Sequence, residues 1–125
     1  MKILLDTHIY FWVLEDNSKL TQKAKNIIVN AEMVYVSIVS LIEAAIKIQR
    51  GRLALNMEKL IHEITACGFL ELPLQFNHTK MLSTLPRHHK DPFDHMLISQ
   101  AMSEPLQFLT ADKSLKSYSE LVILI

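Results

Sequence analysis

The sequence predicts an α/β fold, with a five-stranded parallel sheet covered by helices on both faces. Three observations lead there. Short runs such as Ile3-Leu4-Leu5 and Val122-Ile123-Leu124 are apolar at every position, as strands buried on both faces must be. Between such runs lie stretches with helical spacing, for example Leu60, Ile61 and Ile64. Half of the 125 residues are apolar and only two are glycine, which suits a single domain spanning 1–125 with one real core.

Taken in order, Ile3-Leu4-Leu5 is a buried strand, and His8 to Glu15 is a short helix rich in aromatics. Asp16-Asn17-Ser18 is a turn carrying helix-start residues, after which Leu20, Ala24, Ile27 and Ile28 share a helical face. Val34-Tyr35-Val36-Ser37 is β-branched and aromatic, hence a second strand. Ser40 to Arg50 is a helix stopped by Gly51, and Asn56 to Ala66 a helix stopped by Gly68. Phe69 to Leu72 is a third strand closed by Pro73. Helices follow over Gln75–Leu85 and Phe93–Met102, then a fourth strand over Leu106–Thr110. A short helix over Lys113–Tyr118 and a fifth strand at Val122 complete the pattern.

Composition excludes several classes. The lone Cys67 has no internal partner, which fits a reducing cytoplasm. The first apolar run reaches an acid at Asp6, too short for a signal peptide or a membrane span. A formal net charge of zero gives no overall basic footprint for nucleic acid, so a polyanion needs a local patch or a bound metal. Glycine-rich phosphate loops, nucleophile-elbow glycines and zinc-type ligand spacings are absent.

The chemistry is concentrated in four acids, Asp6, Glu43, Asp94 and Asp112, each beside an apolar run. Acids near a core need partners, and clustered acids repel one another until a divalent cation intervenes. Parallel sheets bind ligands at the carboxyl ends of their strands, beside the point where strand order reverses. If the order is 3-2-1-4-5, Asp6 at the end of strand one and Asp112 after strand four are neighbours there. Glu43, a helical turn past strand two, and Asp94, opening the helix before strand four, reach the same edge. Each acid also has a plainer reading. Asp6 and Asp112 serve as N-caps, Asp91 caps a helix with Pro92 at its first position, and Asp94 then suits the helix dipole. Glu43 pairs with Lys47 on a solvated face continued by Arg50. His88, His89 and His95 read as surface or phosphate-contacting groups, and Tyr10, Phe11 and Trp12 as packing or an oligomer face.

The pieces L-L-D-T-H (4–8), V-S-I-V-S-L-I-E (36–43), K-I-Q-R-G-R-L (47–53), H-K-D-P-F-D (89–94) and L-T-A-D (109–112) resemble, in order and spacing, the PIN domains, and specifically the VapC-type ribonuclease toxins of type II toxin–antitoxin pairs. The resemblance spans the whole chain. It implies a three-layer PIN-like α/β/α fold with order 3-2-1-4-5, and metal-dependent hydrolysis of RNA phosphodiesters. It places Asp6, Glu43, Asp94 and Asp112 at a Mg²⁺ or Mn²⁺ site and leaves Asp91 as the cap. Thr7 and Thr110 are expected to orient water there, and Lys47, Arg50, Arg52 and Lys90 to hold RNA phosphates. The resemblance further implies a homodimer, a cognate antitoxin, DNA contact only through that antitoxin, and no membrane. Two positions depart from similar sequences. His95 stands where Arg is frequent, which removes a fixed cation and would weaken phosphate binding or make it pH-sensitive. Ile42 stands where Trp is frequent, a change of packing. Two other classes compete: a catalytically silent PIN domain acting by protein binding, and a receiver-like phosphoacceptor domain. The second needs an Asp ending strand three and a Lys at strand five, where this chain has Leu72-Pro73 and Val122-Ile123-Leu124.

Overall fold

The apolar run at the start of the chain becomes the central strand β1 (Lys2–Leu5) in the computed structural model, which describes residues 1–125. There follow α1 (Thr7–Glu15), α2 (Gln22–Asn30), β2 (Met33–Ser37), α3 (Ile38–Gln49), α4 (Met57–Ala66) and β3 (Leu70–Leu72). The second half comprises α5 (Phe76–Thr84), α6 (Pro92–Ser103), β4 (Gln107–Thr110), a 3-10 helix at Lys113–Tyr118 and β5 (Val122–Leu124). The sheet order is β3-β2-β1-β4-β5 with every pair parallel, as expected. This order differs from the 2-1-3-4-5 of receiver-like domains and removes that alternative.

Strand alternation sorts the core into two layers. Ile3 and Leu5 of β1, Val34 and Val36 of β2 and Leu109 of β4 pack with Ile9, Tyr10, Leu41, Ala44, Leu60 and Ile64. Leu4 and Phe108 point the other way, to Leu72, Leu97, Ile98, Ala101, Leu115 and Val122. Both faces are therefore dry, which is why these strands lack polar alternation. Chain reversals fall at the carboxyl ends of β1, β2 and β4, and each delivers a polar residue there: Asp6, Ser37 and Thr110.

Several local expectations need correction. α3 begins at Ile38, ahead of the expected Ser40, because the Ser37 hydroxyl accepts from the Val39 N–H and caps the helix directly against the strand. β-branched Ile38 and Val39 resemble strand sequence, but a satisfied cap outweighs that modest preference. Asp16-Asn17-Ser18 does not start α2. Asp16 ends α1 in the left-handed conformation (φ 48°), and Thr21 caps α2 by accepting from Ala24 N–H at 3.2 Å. Tyr10 and Phe11 are buried, and the Tyr10 hydroxyl donates to Leu60 O at 2.6 Å, so these two rings are core and not an oligomer face. Ile42 is 41 % exposed, so its difference from Trp alters the surface and not the interior. No helix is long and apolar enough to cross a membrane.

Candidate metal and phosphodiester site

Asp6 is placed by the backbone on both sides of it. Its N–H donates to Leu109 O at 2.9 Å, extending the β1–β4 ladder by one rung. Its Oδ1 accepts from the Thr7 N–H at 2.8 Å, and its Oδ2 accepts from the Thr110 hydroxyl at 2.6 Å. Capping α1 and facing the sheet edge are thus one arrangement. Thr110 Oγ1 also accepts from the Asp112 N–H at 3.0 Å, so one hydroxyl ties two acidic residues together. Thr7 Oγ1 lies 2.8 Å from Ser40 Oγ, which links the start of α1 to α3.

Glu43 sits in the second turn of α3 and is only 7 % exposed, so it does not occupy a solvated face. Its Oε2 lies 3.0 Å from Lys47 Nζ. Asp91 caps α6, its Oδ1 accepting from the N–H groups of Phe93 at 2.9 Å and Asp94 at 3.3 Å, with Pro92 at the first helical position. That cap orients the first turn and brings Asp94 to the cleft, where its Oδ2 lies 3.1 Å from His89 Nε2. Asp112 is exposed and caps the 3-10 helix, its Oδ1 accepting from Ser114 N–H at 2.9 Å and Ser114 Oγ at 2.7 Å.

These residues converge. A cleft of about 270 Å³ at the carboxyl edge of the sheet is lined by Asp6, Thr7, His8, Trp12, Glu43, Asp91, Asp94, Ala111 and Asp112. All four acids expected at the site are among them, as is Thr7. Thr110 lies behind Asp6, Lys47 is held by Glu43, and Arg50 stands at the exposed C-cap of α3, outside the lining. Arg52 and Lys90 are exposed and also outside it. Trp12, which the sequence suggests as packing or an oligomer face, and His8, which it does not single out, both line the cleft. Their i, i+4 spacing just after Asp6 was the available signal, since it sets both on one face of α1. Asp91 is also more than a cap, because it lines the cleft.

The histidines need a further correction. His95 is 8 % exposed and its Nε2 lies 3.0 Å from the Tyr118 hydroxyl, so it faces inward and does not replace a surface cation. His89 is half-buried between Tyr118 and Asp94.

The electrostatics record the crowding. Burial raises the Asp6 carboxyl above the ordinary carboxylate range, and the Glu43 charge adds to it, while hydrogen bonds from Thr110 and Thr7 and the His8 charge oppose the rise. Asp94 is pushed up to about 7, first by burial and next by the Asp6 charge, with the His89 hydrogen bond pulling the other way. Carboxylates that resist ionisation chiefly because they are buried, and in part because they face another acid, form a site complementary to a cation.

The donors are carboxylate oxygens with neighbouring hydroxyls, the chemistry of a hard divalent cation and not of zinc. No three acid, imidazole or thiol groups lie close enough together to hold an ion by themselves, so any ion here relies on water or substrate oxygens for part of its shell. Mg²⁺ suits that arrangement, because it keeps several waters and is commonly held by one or two carboxylates plus substrate oxygens. The residues therefore fit Mg²⁺ or Mn²⁺.

Comparison with known proteins gives a consistent picture. The family model described as PIN domain matches residues 3–121. Among solved structures, VapBC2 from Rickettsia felis bound to a promoter DNA fragment is similar, at 15% identity and a TM-score of 0.71, covering 100% of this chain and 98% of that one. A toxin–antitoxin complex from Klebsiella pneumoniae shares 13% identity with a TM-score of 0.68, covering 98% and 96%. FitAcB from Neisseria gonorrhoeae shares 16% identity with a TM-score of 0.66, again covering 98% and 96%. No curated protein sequence matches the chain.

Proposed function

The chain belongs to the PIN-domain family, and from that premise we propose that it is a single-domain, divalent-metal-dependent endoribonuclease, the toxin of a type II toxin–antitoxin pair acting in the cytoplasm. One observation carries the reading: acids from four separate segments, Asp6, Glu43, Asp94 and Asp112, line one cleft at the carboxyl edge of the sheet. Capping accounts for Asp6 and Asp112, and the helix dipole suits Asp94, but neither explains why all four share a cleft in which Glu43 disfavours the charge on Asp6 and Asp6 that on Asp94.

Asp6 and Asp94 are assigned as direct ligands of Mg²⁺ or Mn²⁺. Glu43 and Asp112 complete the site directly or through water. A bound divalent ion supplies a water of lowered pKa and offsets charge developing on the phosphate. Thr110 holds Asp6 with Oδ2 fixed, so that carboxylate needs little reordering when it binds. Lys47 steadies Glu43 and brings a positive charge to the cleft edge. Arg50, Arg52 and Lys90 are assigned to phosphates of the RNA beyond the scissile one, which makes binding weaken with added salt despite zero net charge.

The similar structures are described as a VapBC, a toxin–antitoxin and a FitAcB assembly, and this supports a cognate antitoxin as partner. Contact with DNA is assigned to that antitoxin. A homodimer belongs to the same proposal. The test is cleavage of a mixed RNA substrate in Mg²⁺, in Mn²⁺ and in EDTA, for the wild type and for Asp6→Asn. Cleavage that needs the metal and falls by orders of magnitude in the variant supports the reading. A folded wild type inactive under every condition would instead point to a silent PIN domain that acts by binding.

A further inference from the structure

The Tyr118 hydroxyl sits where four groups meet. The His88 and His89 backbone N–H groups approach it at 2.9 and 3.2 Å, His89 Nδ1 at 2.7 Å and His95 Nε2 at 3.0 Å. A phenol has one proton to give and two lone pairs to receive with. The two backbone N–H groups can only donate, so they take the lone pairs. The proton then goes to an imidazole nitrogen, and His89 Nδ1 is the nearer. A neutral imidazole that accepts at Nδ1 carries its hydrogen on Nε2. That nitrogen lies 3.1 Å from Asp94 Oδ2. The other oxygen, Asp94 Oδ1, has no hydrogen-bond partner, and Asp94 lines the cleft. Tyr118 itself is buried among Leu85, Leu97, Ile98 and Leu115, so its ring is fixed by packing.

We propose that Tyr118 is a positioning residue for Asp94, acting through His89: its hydroxyl selects the imidazole tautomer that donates to Oδ2 and so leaves Oδ1 free for the cleft. This rests on the reading of Asp94 as a metal ligand. Groups that orient a ligand from behind are commonly worth about 10- to 100-fold in metal affinity. The inward turn of His95 belongs to the same arrangement, because its ring packs edge-on against His89 (4.7 Å, 85°) and limits how that ring can tilt.

Two substitutions that keep a ring but lose the polar atoms test this, Tyr118→Phe and His89→Phe, alone and together. The measurements are Mn²⁺ affinity by calorimetry and the His89 tautomer by imidazole nitrogen NMR, in metal-free protein above neutral pH. Tyr118→Phe is expected to weaken Mn²⁺ about 10-fold and to shift His89 from the Nε2–H tautomer to a mixture. The double variant should bind Mn²⁺ no worse than His89→Phe alone, because the tyrosine acts only through the histidine. Losses that multiply in the double variant would mean that Tyr118 merely anchors the backbone of residues 88–89, and would overturn the proposal. Unchanged affinity or an unchanged tautomer in Tyr118→Phe would overturn it too. A wild type that takes up no Mn²⁺ refutes the metal reading itself, and the tautomer measurement then still decides the hydrogen-bond chain.

Discussion

Replacing Asp94 with Asn should stabilise the metal-free protein, and should do so only above about pH 4. The carboxyl is raised from 3.8 to about 7 by burial and by the Asp6 charge. At about 1.4 kcal/mol per pH unit, that displacement has a ceiling of about 4 kcal/mol. The side chain keeps 15 % of its exposure, and screening by solvent lowers the figure to about 1–2 kcal/mol. Asn keeps the shape and an oxygen that can still accept from His89, so little else is lost. A raised carboxyl costs the folded state its full penalty above about pH 7, where it is ionised in both states. Below about pH 4 it is neutral in both states and the cost is gone. Wild-type stability in EDTA should therefore fall across that window as pH rises, and Asp94→Asn should flatten the slope. For a chain of this size the gain corresponds to a Tm about 4–8 °C higher near pH 8. Melting in EDTA from about pH 4 to 8, with RNA cleavage in Mg²⁺ measured separately, checks it. An Asn variant that melts lower than wild type above neutrality would refute the argument, because Asp94 would then be a structural acid.

The other expectations follow from the same geometry. Asp91→Ala removes the acceptor for two N–H groups and should cost about 0.5–2 kcal/mol, with a smaller loss of cleavage per folded molecule than Asp94→Asn. Thr110→Val strips Asp6 Oδ2 of its donor and the Asp112 N–H of its acceptor, so urea melting should show a loss of about 1–3 kcal/mol and calorimetry a weaker Mn²⁺ site. Mn²⁺ at about 100 times its Kd should stabilise the protein by about 2.7 kcal/mol, reversibly on chelation, whereas a Tm indifferent to Mn²⁺ would count against the site. Light scattering at micromolar concentration should report a dimer, and a monomer there rejects that half of the proposal.

The sheet was legible because strands buried on both faces leave an unmistakable run of apolar residues, as at Ile3-Leu4-Leu5. The four acids were legible for a related reason: each follows or flanks such a run, and a parallel sheet sends those ends to one edge. What escaped the reading was whatever depends on long-range side-chain contact. Tyr118 carries no local signal, since the residues it organises lie 23 to 30 positions away. Glu43 reads as solvated from its i+4 lysine, and only the packing of α3 shows that the carboxylate is buried while Lys47 stays partly exposed. Tyr10 and Phe11 were ambiguous because an aromatic run on a short helix suits core and contact surface equally. The early start of α3 hinged on one serine hydroxyl, a detail that outweighs the β-branched residues following it.

The bond from Thr110 to Asp6 joins positions 104 residues apart. β1 is synthesised before the strand that completes its carboxyl edge, since β4 comes only after β2, β3 and all six intervening helices are made. On a ribosome, the early strands can pair with one another while Asp6 has neither the Leu109 carbonyl nor the Thr110 hydroxyl to fix it. Asp112 and Tyr118 emerge later still. A growing chain therefore carries Asp6 through the synthesis of the next 104 residues without a cleft to put it in. Non-local closure of this kind is slow and comes as one of the last steps of folding. Whatever reaction the cleft performs is withheld until the chain has been released far enough for β1 and β4 to meet, a built-in delay for a protein made amid the polymer it is proposed to cut.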